Sequence, residues 1–144
     1  MNTVYIVSRV VTHSREDDCG DMYKESFTRR LAVCGSKERA EIEIFANQRR
    51  IAESLAIKQR RDAFEARWVV NNPRPPEEVR SDGLLTLNCV RRFQEYCEER
   101  QRRIKQWFSD CGISEERRQQ MALDVSDSED HDIEFDTEEV PLLP

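Results

Sequence analysis

Between Leu84 and Cys111 apolar residues recur in steps of three and four: Leu87, Val90, Phe93, Cys97, Ile104, Trp107 and Cys111. Only Arg100 interrupts the series, and after Gly83 no Gly or Pro occurs until Gly112. The pattern predicts a long amphipathic helix with one continuous apolar face. The chain opens on a different period. Residues 3–11, TVYIVSRVV, are β-branched and aromatic and predict a strand covered on both faces, at least at its start. Val4, Ile6 and Val10 share one side with Ser8, while Tyr5, Val7 and Val11 share the other with Arg9. Residues 24–34 predict a second strand, with Phe27, Leu31 and Val33 on a face with Arg29. An antiparallel hairpin joins the two most economically, across the polar connection 12–22.

Gly35-Ser36 ends the second strand and starts a helix. The Ser36 hydroxyl suits an N-cap, and Glu38 suits the positive helix end. The helix is expected over 36–64, with Ala40, Ile44, Ile51 and Leu55 on one stripe. The segment FEARWVV (64–70) then alternates Phe64, Ala66, Trp68 and Val70 inward, predicting a third, half-buried strand. Pro73, Pro75 and Pro76 exclude a helix or central strand and read as a corner or linker. Ser81-Asp82-Gly83 offers an N-cap for the long helix, Gly112 its C′ residue, and Ser114 the cap of a short helix over 115–124. The remainder has no sustained period and is expected to be disordered when alone. The expectation is therefore an α+β protein, with a small three-stranded sheet and packed helix, then a long helix, a short helix and an acidic tail. Its parts are a β-β-α-β head over 1–72, a Pro-rich connection over 73–83, a helical part over 84–123 and the tail over 124–144.

Charge sharpens this picture. Nine of the 29 acidic residues fall between Asp124 and Glu139, a stretch without Lys or Arg. The tail thus carries −9, and the other 20 acids against 23 bases leave the body at about +3. The hydrophobic set is only 38% of the chain, so the core is modest or completed by a partner. Five cysteines without a CxxC pair predict free thiols in a reducing compartment. With no basic leader and no long apolar run, the expected location is cytoplasmic, without membrane contact.

The residues VYIV (4–7) followed by GSKERAE (35–41) resemble small β-β-α-β accessory modules of bacteria and phages. The resemblance covers residues 3–70. It implies the head fold and an accessory gene product of a phage or mobile element, without a shared enzymatic activity.

Candidate chemistry is sparse. His13 could meet Cys19 or Asp17, but nothing converges on them as a metal site requires. Cys89 and Cys97 lie about 12 Å apart along one helix, too far to share an ion. The four glycines form no phosphate cradle, and adjacent carboxylates such as Glu98-Glu99 diverge on a helix. The expectation is a non-enzyme without metal or cofactor. Arg49, Arg50, Lys58, Arg60 and Arg61, with Arg91, Arg92, Arg100, Arg102, Arg103 and Lys105, could track phosphates. Glu41, Glu43, Glu53, Glu95, Glu98 and Glu99 among them favour salt-bridged faces instead.

The tail admits three readings: a solubilising terminus, an electrostatic mimic of nucleic acid, or a segment that folds on binding because apolar residues interleave its acids. In the last, DIEF (132–135) could add to a sheet edge, its own or a partner's. The favoured function is a non-enzymatic protein-binding module, an anti-CRISPR-like phage inhibitor of a host defence or nucleic-acid-handling complex. It would block a basic groove by bulk and charge. The candidate partner-binding residues are Val90, Phe93, Ile104 and Trp107, with Asp127, Glu129, Asp130, Asp132, Glu134, Phe135 and Asp136. A homodimer is a second outlet for the helix stripe, and a nucleic-acid-binding regulator is the alternative function. Deleting residues 124–144 is expected to weaken target binding and its salt sensitivity.

Overall fold

The computed structural model describes residues 2–129 and 131–143. It is an α+β fold in the order β1 (Thr3–Glu16), β2 (Met22–Cys34), α1 (Lys37–Asn71), α2 (Leu87–Asp110), α3 (Glu115–Ser128) and β3 (His131–Pro141). The strands form one antiparallel sheet with the order β2-β1-β3. Two compact units are present, Met1–Leu55 with Met121–Pro144, and Ala56–Gln120. The division falls within α1 and within α3.

In the first unit β1 is the central strand. Its fully covered residues are Val7, Arg9 and Val11, all at odd positions, so one sheet face is the inner one. Val7 joins Cys34 of β2 and Ala40 of α1 in the apolar core, with Tyr5, Leu31, Ala32 and Ile44 around them. The residues of α1 buried in this unit are Ala40, Asn47 and Ser54. Their seven-residue spacing is close to two helical turns, and they make a narrow seam of small side chains. The β1–β2 hairpin is longer than its apolar runs, because the polar residues Thr12–Glu16 pair with Met22–Ser26. The connection shrinks to a tight turn, in which Asp17 Oδ1 accepts from the backbone N–H of Cys19 and Asp21, each at 2.9 Å. Gly20 has φ +82 there, a conformation that a Cβ would strain. A register shift between Val7 and Ser8 gives β2 one extra residue, Leu31.

Two expectations are corrected. Residues 64–70 are helical: α1 continues to Asn71. Phe64 and Trp68 are four apart, so they also share a helix face, and no breaker lies before Pro73. The third strand comes from the acidic terminus instead, so residues 131–141 are ordered as β3 and the head is not β-β-α-β. The physical reason is the alternation hidden under the charge, with Ile133 and Phe135 facing inward between acids that face solvent.

In the second unit α2 lies against the C-terminal part of α1. Trp107 stacks on Phe64 with ring centroids 6.0 Å apart, and Tyr96 meets Trp68 at 5.2 Å. The Tyr96 hydroxyl donates to the Asn72 carbonyl at 2.8 Å, and Arg100 pairs with Glu65. The N-cap of α2 is Thr86, whose hydroxyl accepts from Cys89 N–H, rather than a residue of Ser81–Gly83. An isolated bridge between Val79 and Leu85 closes the loop that carries Thr86 into place.

Candidate functional site

A buried cluster of charge ties α3 to the sheet just before the chain returns as β3. Arg9 projects from the middle of β1 and is 1% exposed, while Asp124 and Asp127 of α3 are 0% and 2% exposed. Its guanidinium donates from Nη2 to Asp124 Oδ1 at 2.8 Å and from Nη1 to Asp127 Oδ2 at 2.7 Å. Ser54 of α1 donates to the second Asp124 oxygen at 2.7 Å. Arg50 approaches Asp124 at 3.4 Å and Arg29 approaches Asp127 at 3.3 Å, both from partly exposed positions. Spacing of three on α3 puts both carboxylates on one helix face, where a single guanidinium spans them. Opposite charge and direct hydrogen bonds offset the desolvation that burial of these ions entails.

Beyond α3 the chain returns as β3. Its register pairs Arg9 with Phe135 and Val11 with Ile133, which sets Ile133 and Phe135 on the inner face, half-buried. The same register pairs Ile6, Ser8, Val10 and Thr12 with Glu138, Asp136, Glu134 and Asp132 on the opposite face. These four carboxylates are exposed, and none has a cationic partner among the described residues. They form a row with about 7 Å between neighbours. Beside the row run Val4, Ile6 and Val10 of β1, half-covered only, with Val33 of β2 61% exposed. An acidic edge next to an apolar strip is the chemically distinctive surface of this unit.

Asp132, Glu134, Phe135 and Asp136 from the sequence thus come together on β3. Asp127 does not join them, because it is buried against Arg9 and Arg29. Glu129 lies exposed near the end of α3, and Asp130 lies outside the described residues. Glu138 belongs to the row and was missed, although it continues the even positions of the strand.

The apolar stripe of α2 belongs to the second unit. Phe93 lies under the Arg74 guanidinium, 4.4 Å from its ring centroid, and Trp107 contacts Phe64, Phe108 and Arg60. Ile104 is half-buried. Val90 is 48% exposed, with Leu84 and Leu87 more so, and forms the open end of the stripe. Trp107→Ala is expected to lower stability by about 2–3 kcal/mol, under the fully buried range because the ring is half-buried. Urea unfolding followed by the fluorescence of Trp68 measures it, and a loss under ~1 kcal/mol would mean that the stacked ring contributes little.

The arginines of α2 are engaged by neighbouring acids. Arg103 and Arg102 both bond Glu99, and hydrogen bonding, first from Arg103, holds the Glu99 carboxyl below its ordinary range. Arg92 bonds Glu78 and Arg91 lies 3.9 Å from Glu95. His13 is tied to Glu25 and Arg15 rather than to a cysteine. All five cysteines are free thiols. Among the described residues no group of three or more His, Cys, Asp or Glu is arranged to hold a metal ion, and no helix is long and apolar enough to cross a membrane.

Compared with known proteins, the chain matches no family model, no curated protein and no solved structure.

Proposed function

We propose that this protein is a non-enzymatic binding module that docks on a basic protein surface through the outer face of its sheet. The observation that supports this most is the row Asp132, Glu134, Asp136 and Glu138, without a cationic partner among the described residues and held in register along β3 beside Val4, Ile6 and Val10. Fixed spacing lets several charges meet a partner without the ordering cost that a flexible tail would bear. Long-range attraction would raise the encounter rate, and the apolar strip would slow release. A protein of this kind inhibits by occupying a basic groove, as in a host complex that handles nucleic acid. The regulator reading, with arginines on phosphates, is weaker because Arg91, Arg92, Arg102 and Arg103 already face carboxylates of the same chain.

Replacing the four carboxylates by Asn and Gln in place (D132N, E134Q, D136N, E138Q) is expected to weaken partner binding about tenfold or more and to flatten its salt dependence. Affinity capture from host lysate across a salt series, with quantitative mass spectrometry, reads both. A partner retained equally by both proteins would refute the role of the row. In gel shifts with duplex and single-stranded DNA at about 50 mM salt, where phosphate contacts dominate, no shift is expected. A salt-sensitive shift would favour the regulator.

A further inference from the structure

We infer that the partner enters as an extended strand that pairs with the free edge of β3, with basic and apolar side chains in alternation. This rests on the protein-binding reading above and names the form of the ligand. Among the described residues, the sheet order leaves one side of β3 without a neighbouring strand. Which of its backbone groups face that side follows from the ladder. Leu142 N–H donates to the Asn2 carbonyl at 2.8 Å, continuing the antiparallel pairing of Thr3 with Pro141. Alternate residues of an edge strand point their backbone groups the same way, so the even positions face β1. The odd positions Ile133, Phe135, Thr137 and Glu139 therefore aim N–H and C=O outward. Pro141 is also odd and lacks an N–H, so it ends the available edge.

The side chains define what kind of strand fits. A residue opposite Asp132, Glu134, Asp136 or Glu138 lies on the outer face, where a Lys or Arg meets a carboxylate. A residue opposite Ile133 or Phe135 lies on the inner face. There a cavity of about 210 Å³ is lined by Gln48 and Ile51 of α1 and by Ile133 and Phe135. It would take an aliphatic side chain. A second copy fits this edge poorly. Antiparallel β3–β3 pairing sets acids opposite acids, which is destabilising. The other edge strand, β2, brings only Lys24 and Arg30 on the matching face, with Ser26 and Thr28 between them.

The probe is a fluorescent peptide, about nine residues of alternating Lys and Val, long enough for a typical strand. Its anisotropy is measured with the full chain at low salt. Controls are the same peptide N-methylated on one edge, a polylysine of equal charge, and the Thr137→Pro variant. That substitution removes an outward N–H while leaving the β1 ladder intact, and thermal unfolding confirms its fold. The expected result is binding by the alternating peptide, weakened about tenfold by N-methylation and by Thr137→Pro. Binding that N-methylation and Thr137→Pro leave unchanged, but that neutralising the acid row abolishes, would overturn the strand pairing and leave the protein-binding reading intact. No binding of any cationic peptide would overturn both. Concentration-dependent self-association abolished by Thr137→Pro, without peptide binding, would overturn the inference in favour of a second copy.

Discussion

Arg9→Met is expected to unfold most of the first unit under mild denaturant, lowering stability by about 3–5 kcal/mol. The substitution keeps the volume and apolar stem of the side chain, so the loss is electrostatic rather than steric. It leaves Asp124 and Asp127 at 0% and 2% exposure without their central cation. Arg50 and Arg29 remain at 3.4 and 3.3 Å, and Ser54 still donates to Asp124, which places the effect toward the lower end of that range. Arg9→Lys should be intermediate, because one ammonium cannot span two carboxylates as the guanidinium fork does. Replacing all three ions (R9M, D124L, D127L) should recover only part of the loss: it removes the buried charges, but the Ser54 hydroxyl loses its acceptor and the partly exposed Arg29 and Arg50 lose their partners. Urea unfolding followed by circular dichroism measures each variant. A single-variant loss below ~1 kcal/mol, the range of exposed ion pairs, would show that these groups are solvated rather than buried.

How much of this was legible in the chain depends on which interactions are local. The long helix was, because an apolar face repeats within it and Gly112, with φ +70, follows its end. The hairpin was legible in its apolar half only, since pairing of Thr12–Glu16 with Met22–Ser26 has no hydrophobic signature. Phe64 to Val70 satisfied both periods at once. The choice was made by packing of Phe64 and Trp68 against Trp107 and Tyr96, a contact roughly thirty to forty residues away in sequence that a window cannot see. The tail conceals its strand for the opposite reason. HDIEFDTE alternates cleanly, but its acids outweighed the pattern, and its stability comes from β1, more than a hundred residues earlier. Arg9 carried one visible signal, an ion on the inward side of the most apolar strand, which demands a buried counter-charge. That Asp124 and Asp127 supply it follows only from the fold.

The order of β3 also changes what removal of the terminus would measure. A disordered tail could be cut without effect on folding, and any loss of binding would then report the tail's own contacts. Here a chain ending at Glu129 strips eleven paired positions from β1 and uncovers the edge beside Val7, Arg9 and Val11. Roughly one ladder bond per pair, at about 0.5–1.5 kcal/mol net, sums to the order of a whole domain's stability. Burial of Ile133 and Phe135 adds to it. The shortened chain should lose cooperative unfolding of the first unit, exchange the amides of β1 rapidly and be cut by protease within β1 and β2. Ending the chain at Leu123 removes Asp124 and Asp127 as well, and should leave Arg9 uncompensated with no folded first unit. Hydrogen exchange read by mass spectrometry tests both, with the second unit, Ala56–Gln120, as the internal reference. If β1 stays protected in the chain ending at Glu129, β3 contributes little to the sheet and the acidic segment is a ligand in its own right. If protection is lost, a truncated protein that fails to bind says nothing about the acids, and only their neutralisation in place does.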